Sequence, residues 1–540
     1  MNIITGRSGY RSLLRKLIWC ALLWIVTGLY LCSASEIPIT IFHSNDIHQN
    51  LTPLARMAGY VAEYRKHHPE AVFIDAGDYF DRGSSLVSLT RGEAIIGAMA
   101  RMGYDMAVLG NHDWAYGDQR LRELLDMYPG FTLLGSNLGT AKGSLPQNVP
   151  KVLIKEFSGI RVGFLGITLD SYGKGGQTRP WLYILDCMES TREAIAALKA
   201  GKVDLIVAVT HLGFQKMHHE TKSAHPSDVD LVKRFPDIKV VVGGHSHTSV
   251  DESVTRQVYK ETGSIIVQCA ASGAELGCLK LYINSQTRAI SSFEAKHIPV
   301  DDSLPEQPAV AAFIKQQYRE YMPKAKIIVG EFREDVEFHN LAYWYSDFLR
   351  DQAGADIVLL PRRSIYDEPT IFFKSRITVE RLFSYFYDHY LIKGVVKGSD
   401  LLAFCSAAER RDRFNPFHHR GRPFSGDAIF YSGLTATFNK ADSCVNFGIV
   451  PDKEYSLVVP WPFSDQDISS YRHKLPARAD VKMKNVVPGL AFRQTTLLPE
   501  TTREILVREG EAKCLVFNRK YVEPLPDWDP WTKWFESKYK

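Results

Sequence analysis

Residues 37–48, IPITIFHSNDIH, open on a largely apolar run and close on Asp46 and His48, and this arrangement decides how the first half of the chain folds. Four later runs end the same way: AVFIDAGDYF (71–80) reaches Asp78, DMAVLGNHD (105–113) reaches Asn111 and His112, DLIVAVTH (204–211) reaches His211, and IKVVVGGHSHT (238–248) reaches His245 and His247. The runs are rich in valine and isoleucine without strict alternation, as expected of strands buried on both faces in a sheet covered by helices. Amphipathic stretches such as LARMAGYVAEYRKH (54–67) and STREAIAALKA (190–200) supply the helical crossovers. The rhythm holds from Glu36 to about Pro299, so we expect an α/β catalytic domain over 36–300.

If these runs are parallel strands, the polar residues at their ends meet at one edge of the sheet, beyond the carboxyl ends where open α/β sheets build sites. A single Asp or His in such a place is ordinarily a cap or turn residue. Eight together, all imidazole, carboxylate or amide, are hard to explain as caps. Gly77, Gly110, Gly243 and Gly244 stand beside them and let the backbone turn sharply. Nitrogen and oxygen donors without sulfur suit zinc, manganese, iron or cobalt. Asp78 is the natural bridge, since two close cations need a shared anion.

The motifs SNDIH, AGDYF, LGNHD, THLG and GGHSHT occur in the order and rough spacing of the calcineurin-like metallophosphoesterases, and the chain resembles their 5'-nucleotidase and 2',3'-cyclic phosphodiesterase branch. The resemblance covers residues 37–295. It implies a four-layer sandwich of mixed sheets flanked by helices, with a smaller C-terminal α+β domain. It also implies a two-metal site, with Asp46, His48, Asp78 and His247 around one ion and Asp78, Asn111, His211 and His245 around the other. His112 would be the catalytic histidine. The implied chemistry is hydrolysis of a phosphate ester by two-metal activation of water, nucleotides first among the substrates.

Two departures matter. The nucleotidase branch reads like NHEFD, the last Asp pairing with the histidine, whereas NHDWA here puts Ala115 in that place. GDYFDRG resembles the motif of the serine/threonine phosphatases, so Asp81 is expected to replace the lost carboxylate and Arg82 to contact the substrate phosphate; the plainer reading is a surface turn. In the C-terminal domain ADIVLLPRRSIY (355–366) stands where the branch carries a glycine-rich NGGGIR-like loop, and a GGDGY-like motif is missing. Arg362 and Arg363 are candidates to grip an anionic substrate, and Tyr387 to stack on it, against a solvated turn and a packed aromatic helix as the alternatives. The altered loop keeps other readings open: a cyclic nucleotide, sugar nucleotide or thiosulfate-type substrate, or a metal-binding relative without catalysis.

The stretch DDSLPEQPAVAAFIKQQYREYM marks a linker helix over 301–325, followed by a substrate domain over 326–521 and a Trp-rich tail over 522–540. In that domain TVERLFSYFYDHY (378–390) is read as a helix. Basic residues, the apolar run Leu17–Cys32 and small residues to Ser35 have the layout of a cleaved secretory signal (1–35), hence an exported, periplasmic or extracellular protein without stable membrane insertion. Apart from Arg7, Arg11, Arg15 and Lys16 in that leader, the 65 basic residues balance the 61 acidic ones. A neutral chain lacks the electrostatic footprint of a binder of polymeric nucleic acid, and a small-molecule phosphate ester is the expected partner. VQCAASGAELGCLKLY (267–282) reads as two strands around a turn, across which Cys269 and Cys278 either form a disulfide or remain buried thiols.

Overall fold

The computed structural model describes residues 35–80, 84–116, 118–140, 149–169, 182–216, 225–361, 364–365, 371–387, 389–405, 429–434, 436–439, 444–461 and 492–517. All but Ser35 of the leader expected over 1–35, the tail, and Asp81, Arg82, Arg362 and Arg363 lie outside them.

The strands of the first domain's two main sheets are β1 (Glu36–Ser44), β2 (Val72–Asp75), β3 (Met106–Ala107), β4 (Thr132–Leu133), β5 (Val152–Phe157), β6 (Ile160–Thr168), β7 (Leu205–His211), β8 (Ile238–Val242), β9 (Ile265–Val267), β10 (Glu275–Asn284) and β11 (Ile290–Pro299). They form two sheets, a six-stranded one in the order β11-β10-β1-β2-β3-β4 and a five-stranded one in the order β9-β8-β7-β6-β5. In the first sheet β1 to β4 run parallel, and β10 lies antiparallel to both β1 and β11. In the second, β6 to β9 run parallel and β5 antiparallel.

Successive residues along a strand face opposite ways, which explains the unbroken apolar runs. Ile39, Ile41 and Ile74 meet Val207, Val209, Val240 and Val242 in a core between the sheets. Phe42 and Phe73 turn outward onto the helices Leu54–Arg65 (α1) and Glu93–Met102 (α2). Ala208 and Val241 pack outward with Leu198 and Leu231, from the helices Cys187–Ala200 (α3) and Asp228–Arg234 (α4). The result is four layers, helix, sheet, sheet and helix. Local signals start the helices: Asp186 caps α3 by accepting from Glu189 N–H, and Ser227 and Asp230 form a reciprocal capping box on α4.

The helix Pro308–Ala325 (α5) opens with Pro at its first position and a Gln307 cap. Its Val310 and Phe313 are buried in the first domain's outer core, so it packs on that domain instead of standing free. Beyond it a five-stranded sheet (Ile429–Ser432, Ile357–Pro361, Glu454–Trp461, Tyr390–Lys397, Phe492–Thr501, in that order) is covered by the helix Phe338–Ala353 (α6). The two halves touch through the segment that follows the Asp78 loop. Ser85 Oγ donates to Glu380 (2.8 Å), Arg91 pairs with Glu504 (2.7 Å), and Leu89 packs on the second core.

Two expectations need correcting. The stretch TVERLFSYFYDHY is helical only over Val379–Tyr385 (α7). Phe386 leaves in an extended conformation and Tyr390 begins a strand hydrogen-bonded on both sides, because burial of that strand between two neighbours outweighs helix propensity. Cys269 and Cys278 do not face each other across a hairpin: β9 belongs to one sheet and β10 to the other, and both thiols are free and buried.

Phe164 is fully buried between the sheets. Phe164→Ala is expected to cost about 3–5 kcal/mol of stability, read as a lowered denaturation midpoint; a loss under about 1 kcal/mol would contradict a close-packed core between the sheets.

Candidate metal centre

β1, β2, β3, β7 and β8 all end at one rim of the sandwich, and the sequence-predicted donors follow at those ends. The gathering place differs from the expectation in one respect. It spans the carboxyl edges of two facing sheets, with Asp46, His48, Asp78, Asn111 and His112 contributed by the first and His211, His245 and His247 by the second.

Beyond the last strand residues, the β1 and β2 loops keep pairing. Asp46 N–H donates to Gly77 O (2.8 Å), His48 N–H to Asp78 O (3.0 Å) and Gln49 N–H to Tyr79 O (2.8 Å). This irregular ladder holds Asp46, His48 and Asp78 at φ 52°, 47° and 63°, and His245 and His247 are likewise left-handed at 81° and 55°. Such backbone is sparsely populated by residues other than glycine and costs of order 1–3 kcal/mol each. Five donors held this way mark a place where side-chain position outranks local comfort. Gly110 has a steric duty, for a Cβ there would lie 2.0 Å from Asp78 Oδ1.

The donors converge in two groups, Asp46–His48–His247 and Asp78–His211–His245, whose ligand atoms lie within 4.8 Å of one another in each group. In the first, His48 Nε2 and His247 Nε2 are 2.9 Å apart, and Asp46 Oδ1 is 3.6 and 3.3 Å from them. In the second, His211 Nε2 is 3.1 Å from Asp78 Oδ2, and it is also 3.8 Å from Asp46 Oδ1, which joins the groups. His211 Nδ1 bonds the Ala76 carbonyl (2.7 Å), so it carries a proton there and points Nε2 inward, as outer partners do for metal-binding imidazoles.

The residues fit a pair of divalent cations. Asn111 Oδ1 is buried without a hydrogen bond, a costly state that a cation on its lone pairs would relieve. Electrostatics point the same way. Burial depresses the His211 pKa, but the Asp78 and Asp46 charges outweigh it and raise it to about 10. Burial raises Asp78, yet its neighbouring imidazoles hold it well below the usual carboxylate range. The buried floor of the cluster, Asp46, Asp78 and His211, is a carboxylate-rich cradle that demands positive charge, while His247 faces solvent.

His112 stands beside this cradle, its ring centroid 5.3 Å from that of His48, and its backbone N–H donates to Asp78 Oδ1 (2.8 Å). Ala115 is exposed and offers no carboxylate. Tyr387 is half-buried and stacked on His389 (6.0 Å between centroids), with its N–H on Ser364 O (3.0 Å). Trp114 is buried in the outer core.

Asp113 carries a role that sequence reasoning missed. Fully buried, its two carboxylate oxygens accept the N–H groups of Asp78 (2.9 Å), Gly110 (2.7 Å), Tyr79 (2.7 Å) and Phe80 (3.1 Å). One side chain thus clasps the Asp78 loop to the Asn111 loop. The only signal in the sequence was a carboxylate directly after the donor pair in an otherwise apolar run.

Residues 39–249 match the family model described as calcineurin-like phosphoesterase. The uncharacterized metallophosphoesterase YunD of Bacillus subtilis (strain 168) is 27% identical over 308 residues, 55% of this chain and 62% of that protein. Mus musculus 5'-nucleotidase is 26% identical over 318 residues, 53% of each chain. The chain spans about half the length of such curated relatives. The solved 5'-nucleotidase precursor from Thermus thermophilus superposes with a TM-score of 0.51 at 20% identity, over 89% of this chain and 97% of that one, a likeness of fold that reaches into both halves.

Two outcomes are expected. Asp113→Ala leaves four buried N–H groups without an acceptor and should cost roughly 3–5 kcal/mol, measured by denaturant unfolding, with weaker metal uptake. Since the proton on His211 stays below a pKa of about 10, metal entry must displace it, so affinity should fall roughly tenfold for each pH unit of acidification near neutrality. Metal titrations at several pH values check this, and a pH-independent affinity would contradict it.

Proposed function

We propose, from the match of residues 39–249 to the calcineurin-like phosphoesterase model and the likeness to 5'-nucleotidases, that the chain hydrolyses phosphate esters, nucleotides first, at a dinuclear metal centre. The observation that carries the reading is the pair of donor groups joined at His211 and Asp46, with Asn111 Oδ1 left buried and without a hydrogen bond.

Asp46, His48, Asp78 and His247 would hold one ion and Asp78, Asn111, His211 and His245 the other, with Asp78 shared. Bound there, zinc, manganese, iron or cobalt supplies Lewis-acid polarisation of a phosphoryl oxygen and a lowered water pKa. The protein does the rest. Asp113 and the irregular ladder hold the donors against the strain of their loops. His112, fixed through its backbone on Asp78, would stabilise charge on the phosphoryl group and give a proton to the leaving oxygen. Asp81 as the partner of His112 and Arg82 as a phosphate contact complete the assignment, and they follow the Asp78 loop directly in the chain. Arg362, Arg363 and Tyr387 remain the candidates for gripping the rest of the substrate. Export follows from the leader-like first 35 residues; among the described residues no helix is long and apolar enough to cross a membrane.

The test is hydrolysis of AMP, UDP-glucose, 2',3'-cyclic AMP and p-nitrophenyl phosphate before and after chelation, with manganese, cobalt or zinc added back. Chelation should abolish turnover and a metal should restore it; chelator-insensitive hydrolysis would end the proposal. His112→Ala should lower kcat roughly 10²–10⁴-fold with bound metal unchanged. Asp81→Asn should act in the same direction, and an unaltered rate in that variant would remove Asp81 as the partner of His112.

A further inference from the structure

A second set of metal-capable side chains lies behind the first and has no part in the reaction proposed above. His43 on β1 pairs with Gly277 on β10, and Gly277 pairs with His297 on β11. Directly opposed residues of neighbouring strands share a face, so His43, Gly277 and His297 form one row across three strands. Gly277 is a gap in that row: a Cβ there would lie 2.1 Å from both Cε1 and Nε2 of His43, and only glycine lets that ring lie over the middle strand. Glu275, two residues before Gly277, is on the same face and diagonal to His297. Cys269, arriving from β9 of the other sheet, is fully buried with its Sγ 3.6 Å from His43 Nδ1.

The ligand atoms of Cys269, Glu275 and His297 lie within 4.8 Å of one another. Glu275 Oε2 is 3.2 Å from His297 Nδ1, and Ser249 Oγ touches both at 2.9 and 2.8 Å. Without an ion, these contacts describe a Glu–His pair roofed by a thiol. Two things favour an ion. Around tetrahedral zinc, bonds of about 2.3 Å to sulfur and 2.0 Å to nitrogen or oxygen give edges of roughly 3.5 Å (S to N) and 3.3 Å (N to O). The observed Glu275–His297 separation, 3.2 Å, is close to the second of these, and a Cys269 ligand atom lies within 4.8 Å of both. One thiolate and one carboxylate also cancel a dication, leaving a neutral centre where unpaired charge would be costly.

We propose that Cys269, Glu275 and His297, with His43 packed on the thiol, bind a further divalent ion of the zinc class at a structural site separate from the dinuclear centre. Burial, with His297 nearby, pushes the His43 pKa down to about 3, so the imidazole beside the thiol is neutral and adds no positive charge to the site. Burial pushes the Cys269 thiol up, so the ion takes up the thiolate and releases its proton to solvent. The ion stitches the two sheets together directly under Asp46. Asn45 joins the sites: its Oδ1 accepts from Cys269 N–H (2.8 Å), and its Nδ2 donates to Cys269 O (3.0 Å) and to Asp46 Oδ2 (2.7 Å).

Cobalt(II) separates this site from the dinuclear one, whose donors include no sulfur. The full chain loaded with cobalt should show a near-ultraviolet thiolate-to-cobalt charge-transfer band. Cys269→Ser should lose the band and lower bound metal from about three to about two equivalents per chain. His297→Ala, on an outer strand and milder for folding, should weaken or abolish the same band, whereas His211→Ala should keep it. A cobalt-loaded wild-type protein without the band, or a band that persists in Cys269→Ser, would overturn the proposal.

Discussion

Asp46 and Asp78 are both buried, and both face the same imidazole nitrogen, His211 Nε2, at 3.8 and 3.1 Å. Two carboxylates in a water-excluded pocket repel one another and lose their hydration, a state that survives only with positive charge between them. In the protein alone, the proton of His211 answers part of that demand. Divalent cations would answer it fully, and the rest of the first domain can be understood as the apparatus that keeps these groups together when they would rather separate.

That apparatus works at three ranges. The two sheets set the distance, because the inter-sheet core of Ile41, Ile74, Val207, Val209 and Val242 brings the two carboxyl edges face to face. The irregular ladder from Asp46 to Gln49 sets the direction, holding donors in left-handed backbone that only a continuous set of hydrogen bonds can sustain. The Asp113 carboxylate sets the register between the Asp78 and Asn111 loops by accepting N–H groups from both. A fully buried carboxylate with Asp78 nearby is itself costly, and its pKa is pushed up to about 7, a sign of how much loop geometry depends on it.

The second domain touches the first where that apparatus ends. The segment carrying Ser85, Leu89 and Arg91 follows the Asp78 loop in the chain and meets Glu380, the second core and Glu504. Partly exposed pairs of this kind contribute about 0–1 kcal/mol each, so the contact is light compared with either core.

Much of the centre was legible in the sequence because strand ends are local events: an apolar run followed by Asp, Asn or His declares both a buried strand and a donor at its exit, and Asp46, Asp78, Asn111, His211, His245 and His247 could each be named this way. What the linear order left undetermined depends on pairing across the chain. That the donors come from two sheets, that Cys269 and Cys278 stand on different sheets, that Tyr390 begins a strand and that Asp113 clasps two loops are all consequences of which backbone groups find each other at long range. Hydrophobic periodicity reports which faces are buried, but the partner of a buried N–H or thiol is chosen only when the sheets close, since satisfying it depends on angles and ångströms that no spacing in the sequence encodes.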